Sequence, residues 1–448
     1  MAKRQRMPDW LELLYSEFTK PPYFLQKQFE LKTASNKQSR THDDDKNTEA
    51  HGSSGDRSTT LPTASGSPND SAHSSKRKSV SNTSPYVKEA EVHRITGTNN
   101  ARYGRAPSAS RSLTMQIPQP VLERFPFQVE RKEQLSGVLR VHTTDGKRYA
   151  VKRTQLAMPH VRFIHRALNF SQKQGFTRYS RFLLTAKKAP GLMYDGNVYY
   201  ATEWVDGQPA NFALAEHVAQ TAYALAQFHE ATRGFSSDKF TPSPVFDLFS
   251  MTQQRNRDLR QLLTRSEAKE DKDAFDTLFV SLKSQLQNDA AESLQLLQRS
   301  ECVAFLQSDE AQPGICHLDV IPGNCLYGPD HHVHLIDFEL SAFAPRALDI
   351  AHLLRRSLQL TNWNGDMAYA CFLHFNAVKS MPKVEYQLVQ ALLKFPYRAW
   401  RLAHTRYHYF ADGAQTTELQ AYAQQEERRQ HFLRSLSDQV QGLSIDNG

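Results

Sequence analysis

One stretch near the C-terminal third of the chain, GICHLDVIPGNCLYGPDHHVHLIDFE (residues 314–339), combines acidic and amide side chains with two short apolar runs. The runs NCLY and HVHLIDF predict two β-strands joined by a turn at GPDH. Asp319 and Asn324 then lie on the loop before the first strand, and Asp337 lies at the end of the second. Three oxygen-bearing side chains at the mouth of one hairpin are suited to holding Mg²⁺ and phosphate.

The elements that must position these residues fall into two regions. Residues 116–205 have the alternating pattern of β-strands, interrupted by one helical segment. After a connector near 203–207, apolar residues recur every three to four positions, which predicts a largely helical region at 206–448 with the hairpin as its main β element. We therefore predict an α+β, two-lobed fold with a β-rich N-lobe and a helical C-lobe that carries the catalytic-type loop.

Composition and charge restrict the classes of function. The chain has 448 residues, 39% of them hydrophobic, which is enough for one large two-lobed domain or for two domains. Its net charge is +8, but residues 116–448 contain 37 basic and 35 acidic residues. The excess of positive charge is therefore in the N-terminal region, and we expect no nucleic-acid partner.

The first 115 residues differ from the rest. Residues 1–33 contain PDWLELLYSEFT (8–19), whose apolar residues have helical spacing, so we predict a short amphipathic docking segment. Residues 34–115 are rich in Ser, Thr, Asn, Asp and Gly and have few large apolar side chains, which predicts a disordered linker.

The cysteines and the N-terminus indicate a reducing, intracellular location. The four cysteines form no CxxC pair and no metal-ligand spacing, so we expect small buried side chains without disulfides. The N-terminus lacks the continuous apolar region of a signal peptide. No apolar run approaches the roughly 20 residues that span a bilayer, so we expect no membrane span.

The motifs and the predicted architecture resemble the aminoglycoside-phosphotransferase branch of the kinase-like fold. Within that branch the chain is most similar to the CotS-type spore coat proteins of endospore-forming bacteria. The resemblance covers about 120–410 and depends on the stretches FPFQV, YAVKRT, FIHRALNFSQKQGF, YYATEWVDGQPANF, ALAQFHEATRGF, ICHLDVIPGN and FPYRAWRLAHTRYHY.

The resemblance implies roles for four residues of the opening stretch and for Asp349, which follows it. Asp319 matches the catalytic-loop Asp that orients the acceptor hydroxyl and takes its proton. Asn324 and Asp337 match the two Mg²⁺ ligands, so all three residues are catalytic candidates. His317 is expected to hold the loop by hydrogen bonds, and Asp349 to brace it from the following helix.

The resemblance also implies ATP binding in the N-lobe. Lys152, in YAVKRT, lies where kinases keep the lysine that reaches the α- and β-phosphates. Gly137 is the single glycine of the predicted phosphate-covering turn. The connector residues Glu203, Trp204 and Val205 are expected to hydrogen-bond adenine through their backbone. ATP and Mg²⁺ are therefore the expected cofactors.

Several features differ from an active protein kinase. The phosphate-covering turn is poor in glycine, and no Asp or Glu lies between Lys152 and Asp195, so the usual lysine–glutamate pair cannot form. Leu318 replaces the small or basic residue often found before the catalytic Asp. Residues 338–348 are too few for a long activation segment, which favours a small-molecule hydroxyl, or no acceptor at all, over a regulated protein substrate.

Two functions remain open from the sequence. The first is an ATP- and Mg²⁺-dependent phosphotransferase that acts on an unknown hydroxyl acceptor. The second is a catalytically inert pseudokinase that serves as a structural component of the spore coat, with other coat proteins as partners. The resemblance implies synthesis in the cytoplasm followed by incorporation into the coat.

Overall fold

A computed structural model of the chain describes residues 116–135, 137–237, 239–242, 247–308 and 314–442. The predicted amphipathic segment (1–33) and the predicted linker (34–115) lie outside the described residues, and both stay predictions.

The N-terminal lobe is an antiparallel sheet with one long helix. Its strands have the order β1-β2-β3-β6-β4, and β5 pairs with the other end of β6. The elements are α1 (Gln119–Leu122), β1 (Val129–Leu135), β2 (Val138–Thr143), β3 (Arg148–Thr154), α2 (Met158–Lys173), β4 (Phe182–Leu183), β5 (Leu192–Tyr194) and β6 (Asn197–Glu203).

Apolar periodicity explains why these segments form. β2 and β3 alternate between buried and more exposed side chains, which is the period of a strand with one face on a core. In α2 the buried residues Phe163, Ile164, Ala167 and Leu168 recur at helical spacing. α2 coincides with the helical segment expected from the sequence, so the predicted order of strands, helix and strands in this lobe is confirmed.

The C-terminal lobe consists mainly of helices. They are α3 (Ala215–Ala231), α4 (Leu248–Glu267), α5 (Ala274–Ser281), α6 (Lys283–Leu297), α7 (Ser300–Leu306), α8 (Ala347–Leu360), α9 (Gly365–Val378), α10 (Lys383–Lys394), α11 (Tyr397–His408), α12 (Gly413–Gln424) and α13 (Glu426–Gly442). The larger core of the protein, which includes Phe228 and Phe375, is centred on α3, α8, α9 and α10. A second core, around Phe279 and Trp400, joins α4, α5, α6, α11 and α12.

Short strands in the C-terminal lobe carry the candidate residues. They are β7 (Gln208–Pro209), β8 (Ile315–Cys316), β9 (Cys325–Tyr327), β10 (Val333–Leu335) and β11 (Ala342–Phe343). β9 and β10 form the predicted hairpin, with Tyr327 opposite Val333 and Cys325 opposite Leu335. β7 pairs with β9, and β8 pairs with β11. The α+β fold with a β-rich N-lobe and a helical C-lobe is confirmed.

The two lobes meet where the chain leaves α2. The Leu335 N–H donates to the Arg178 carbonyl at 2.9 Å, and the Ser180 N–H donates to the Leu335 carbonyl at 3.2 Å. These bonds form a short parallel bridge between Tyr179 and Leu335. The catalytic-type hairpin is therefore hydrogen-bonded directly to a segment of the N-terminal lobe.

Cysteine and membrane expectations can be compared with the described residues. Cys302, Cys316, Cys325 and Cys371 are all buried and free, as the sequence predicted. Within the described ranges, every helix is too short or too polar to cross a membrane.

Candidate active site

The loop that follows β8 is held by a buried carboxylate at the start of α8. Asp349 has no exposed surface, and its two oxygens accept the backbone N–H groups of His317 (2.7 Å) and Leu318 (2.8 Å). His229 of α3 contacts the same carboxylate at 2.8 Å. Leu318 has a left-handed backbone (φ +64°), which costs about 1–2 kcal/mol in a non-glycine residue. The Asp349 bonds help to hold it there, and the predicted bracing role of Asp349 is confirmed.

His317 connects this loop to the end of the hairpin. Its Nε2 hydrogen-bonds to the Ile336 carbonyl at 3.0 Å, and its Nδ1 accepts the Asp319 backbone N–H at 3.2 Å. Its ring packs on Phe338, with 4.8 Å between the centroids. Both ring nitrogens are therefore used within the loop, which confirms the predicted structural part of His317.

Asp319 and Asn324 are brought into direct contact. Asn324 Nδ2 donates to Asp319 Oδ2 at 2.6 Å and to the Asp319 carbonyl at 3.1 Å. Both side chains are buried, and Asn324 ends the short 3₁₀ turn Pro322–Asn324. The bond fixes the direction of the amide, so that its oxygen faces away from Asp319. This arrangement suits one residue that accepts a proton and a second that ligates a cation.

Asp337 meets Lys152 across the two lobes. Lys152 Nζ lies 2.7 Å from Asp337 Oδ1 and 3.4 Å from Glu339 Oε1. Asp337 has a left-handed backbone (φ +63°), and it directly precedes the 3₁₀ turn Phe338–Leu340. Burial alone would lower the pKa of Lys152, but the charges of Asp337 and Glu339 outweigh it and raise the pKa. Lys152 is therefore a permanent cation in the site.

Glu339 is a site residue that the sequence reasoning missed. It accepts a hydrogen bond from the Tyr200 hydroxyl at 2.8 Å while it contacts Lys152. Glu339 also acts on α2, the helix on which the sequence offers no acidic partner for Lys152. Burial lowers the pKa of His160 on that helix, and the charge of Glu339 partly offsets the lowering. The sequence LIDFE could have indicated this role, because Glu339 follows Asp337 by two residues and therefore lies at the same end of the hairpin.

The remaining predicted nucleotide contacts are backbone positions. Gly137 has φ +77° in the tight turn between β1 and β2, a conformation that two-residue hairpin turns require. In the connector, the Glu203 N–H donates to the Arg181 carbonyl (2.7 Å) and the Trp204 N–H to the Arg148 carbonyl (2.9 Å). Because these two N–H groups are already used, the backbone groups expected to bind adenine are the connector carbonyls and the N–H of Val205.

The donor set fits a magnesium ion. Magnesium is bound in proteins by few carboxylate or carbonyl oxygens together with phosphate oxygens and water. The Asp337 carboxylate and the Asn324 amide oxygen, held on either side of the hairpin base by the bonds described above, supply that set. Lys152 places a cation beside them, as a site for nucleotide phosphates requires.

Comparison with known proteins agrees with this geometry. The model of the phosphotransferase enzyme family named APH matches residues 131–384. The structure is similar to that of an aminoglycoside phosphotransferase from Alicyclobacillus acidocaldarius subsp. acidocaldarius DSM 446, with 49% sequence identity and a TM-score of 0.69. That match covers 76% of this chain and 98% of the other.

A more distant structure is that of the spectinomycin phosphotransferase APH(9)-Ia in complex with ADP and spectinomycin. It is 14% identical, with a TM-score of 0.46, and the match covers 68% of this chain and 90% of the other. The family model spans more than half of the chain, and its range includes Lys152, Asp319, Asn324 and Asp337. The chain has the kinase-like fold and belongs to the aminoglycoside-phosphotransferase type of the phosphotransferase enzyme family.

Proposed function

We propose that the protein is a phosphotransferase that moves the γ-phosphoryl group of ATP to a hydroxyl acceptor with the help of Mg²⁺. The observation that carries the proposal is the 2.7 Å contact of Lys152 with Asp337 across the lobes. In this proposal the contact brings together the cation that would bind phosphate and the carboxylate that would bind the metal ion. The Asp319–Asn324 pair lies at the base of the same hairpin.

Each residue has a defined part in this reaction. Asp319 accepts the proton of the acceptor hydroxyl, and its bond from Asn324 keeps the carboxylate oriented. Asn324 and Asp337 hold the metal ion, which neutralises charge on the phosphates when bound. Lys152 binds the α- and β-phosphates. The connector carbonyls and the Val205 N–H bind adenine, and Gly137 turns the strand pair that covers the phosphates.

The first test replaces the proposed base and the proposed metal ligand separately. Asp319→Ala should lower ATP turnover by about 10²-fold or more and leave Mg²⁺-dependent ATP binding in place, because only proton acceptance is lost. Asp337→Ala should abolish the Mg²⁺-dependent part of ATP binding. Calorimetry with and without Mg²⁺, together with ADP release, measures both effects.

The control for both variants is Asp330→Ala, which removes a carboxylate from the exposed turn of the same hairpin. It should behave as the wild type. Mg²⁺-dependent binding that survives in Asp337→Ala would contradict the assignment of the metal ligand. Equal turnover in Asp319→Ala and the wild type would contradict the assignment of the base.

A second candidate function is an inert binding protein of the spore coat. It is favoured by the absence of an acidic residue on α2, since Lys152 then takes its partners from the metal-binding end of the hairpin. The coat location, the coat partners and the initial cytoplasmic location are proposals from sequence resemblance. No ATP binding at millimolar nucleotide, with the protein recovered in coat extracts of sporulating cells, would support this candidate over the first.

A further inference from the structure

Three potential metal ligands meet beside the second core, and the proposed reaction uses none of them. They are Asp258 of α4 and His404 and His408 of α11, and we call them the His–Asp group. One nitrogen of each histidine ring and one oxygen of the carboxylate all lie within 4.8 Å of one another. Imidazole nitrogens and carboxylate oxygens are ligands that zinc takes in proteins.

Helical spacing places both histidines on one side of α11. His404 and His408 are four residues apart, so successive turns of the helix bring their side chains together, with 4.5 Å between the ring centroids. His408 is also the last residue of α11. The C-terminal end of a helix carries a partial negative charge, which favours a bound cation.

Asp258 reaches both rings from the neighbouring helix. Its Oδ1 lies 3.4 Å from His408 Nε2, and its Oδ2 lies 2.5 Å from His404 Nδ1. Trp400 Nε1 donates to the same Oδ2 at 2.7 Å. A hydrogen bond behind a ligating carboxylate fixes its direction at metal sites. Trp400 therefore holds the carboxylate while its other oxygen, Oδ1, stays directed to His408.

The distances within the His–Asp group suit a tetrahedral ion after one small movement. Ligand atoms bound to one zinc ion at about 2.0–2.2 Å in tetrahedral directions lie about 3.3–3.6 Å apart. The 3.4 Å between Asp258 and His408 already has this value. Asp258 and His404 are at hydrogen-bond distance, so they have to separate by about 1 Å when a metal ion replaces that bond.

The group is mostly buried but open to solvent on one side. The side chains of Asp258 and His404 are 13% and 11% exposed, whereas that of His408 is 43% exposed. An ion can enter beside His408, and a water molecule can complete its coordination there. Arg265 of α4, which donates to the Tyr407 carbonyl at 2.9 Å, is a nearby positive charge that the carboxylate and the helix end must outweigh.

We propose that Asp258, His404 and His408 bind one zinc ion, with water as the fourth ligand, and that the ion fastens α4 to α11. The two helices pack together in the second core around Phe279 and Trp400, and an ion held by both adds a link to that packing. A ligand that binds only the folded chain raises its stability, so zinc stabilises this part of the C-terminal lobe. The inference does not rest on the proposed function.

The binding test titrates Zn²⁺ into the full chain, freed of metal with a chelator, in excess Mg²⁺. Magnesium competes for oxygen ligands but poorly for imidazole. Calorimetry should show one zinc ion per chain, bound at least tenfold more weakly by His408→Gln and by Asp258→Asn. His408→Gln changes the most exposed ligand and leaves the contacts of Asp258 with His404 and Trp400 in place, so it should fold.

The matched control is His334→Gln, which removes a histidine that contacts a carboxylate, Asp330, at 3.1 Å in the exposed turn of the hairpin. It should bind zinc as the wild type does. No zinc binding by the wild type, or wild-type affinity in either His408→Gln or Asp258→Asn, overturns the proposal. An equal loss in His334→Gln also overturns it, because zinc would then bind to surface histidines in general.

Two further measurements separate a bound ion from a cluster held by hydrogen bonds alone. Co²⁺ in place of Zn²⁺ should give the strong visible absorption of a four-coordinate ion in the wild type and not in His408→Gln. The weak absorption of a six-coordinate ion in both would overturn the tetrahedral site. Zn²⁺ should also raise the midpoint of thermal unfolding of the wild type and of His334→Gln. An equal rise in His408→Gln would overturn the link between α4 and α11.

Discussion

At the scale of single residues, Lys152 takes its partners from the opposite lobe. Both acids that contact its Nζ, Asp337 and Glu339, lie in the LIDFE segment after β10. Tyr200, which lies opposite Lys152 in the β3–β6 ladder, also donates to Glu339. The position of the lysine therefore depends on the end of the hairpin. In kinases that have the lysine–glutamate pair, it depends instead on an acid of the helix that corresponds to α2.

Lys152→Met tests this arrangement. The change removes the cation from two partly buried carboxylates and, in the proposed function, from the nucleotide phosphates. We expect the dissociation constant for Mg²⁺·ATP, measured by calorimetry, to rise about tenfold or more, which is ~1.4 kcal/mol or more of binding free energy.

The control for Lys152 is its neighbour on β3. Arg153→Met removes a cation from the same strand, and adjacent side chains on a strand point to opposite faces of the sheet. It should leave ATP affinity within twofold of the wild type. Similar losses in Arg153→Met and Lys152→Met would mean that general charge, and not this lysine, sets the affinity.

The residue types of the site were readable from the sequence, but their partners were not. The apolar runs around Asp319, Asn324 and Asp337 predicted a loop and a hairpin, and the structure places the three residues on these elements. The Glu203 N–H, for example, donates to the carbonyl of Arg181, which lies 22 positions earlier in the chain. The contacts of Lys152 with Asp337 and Glu339 join β3 to the end of the hairpin, and such pairings depend on packing that no local pattern encodes.

At the scale of elements, α8 is held at its first turn by α10. Arg346, the residue before α8, and Glu385 of α10 form a buried ion pair, with Nε of Arg346 2.8 Å from Oε1 of Glu385. Arg346 also donates to the carbonyls of Lys379 (3.3 Å) and Ser380 (3.1 Å). Because α8 carries Asp349, which holds the loop after β8, the ion pair supports that loop indirectly, through the position of α8.

Glu385→Ala should destabilise the protein by about 3–5 kcal/mol, because it leaves a buried guanidinium without its carboxylate. Urea unfolding followed by circular dichroism measures the free energy of unfolding. Glu267→Ala is the control, since it breaks an ion pair with Lys283 whose two side chains are much more exposed. It should cost about 1 kcal/mol or less, and an equal loss in both variants would contradict the special role of the buried pair.

Helical periodicity predicted most elements of the C-terminal lobe, though not their ends. α3 fits the apolar spacing of EHVAQTAYALAQFHEATRGF, but near its C-terminal end the helical region predicted for 206–448 is divided into α10 and α11 at Phe395 and Pro396. Proline has no N–H to donate and disfavours a helical conformation in the preceding residue. The apolar spacing continues across this point because both helices bury one face. Only the proline in the sequence therefore indicated a break between the two helices.

At the scale of the whole molecule, the cores formed by the described residues extend from Val121 to Val440, and the sequence of 34–115 has few large apolar side chains to add to them. We therefore expect a chain that lacks residues 34–113 to keep its fold. Its thermal transition, followed by circular dichroism, should stay cooperative, with a midpoint within a few degrees of that of the full chain. Loss of the cooperative transition would show that the deleted segment belongs to the core.

The bridge between Tyr179 and Leu335 has a consequence for how the cleft opens. Two backbone hydrogen bonds fasten the segment after α2 to the strand that ends beside Asp337. A wide separation of the lobes would break both, whereas a rotation about them would leave both intact. We therefore expect any relative motion of the lobes to be a rotation about this bridge, in which Asp337, two residues beyond Leu335, changes position less than the β1–β2 turn does.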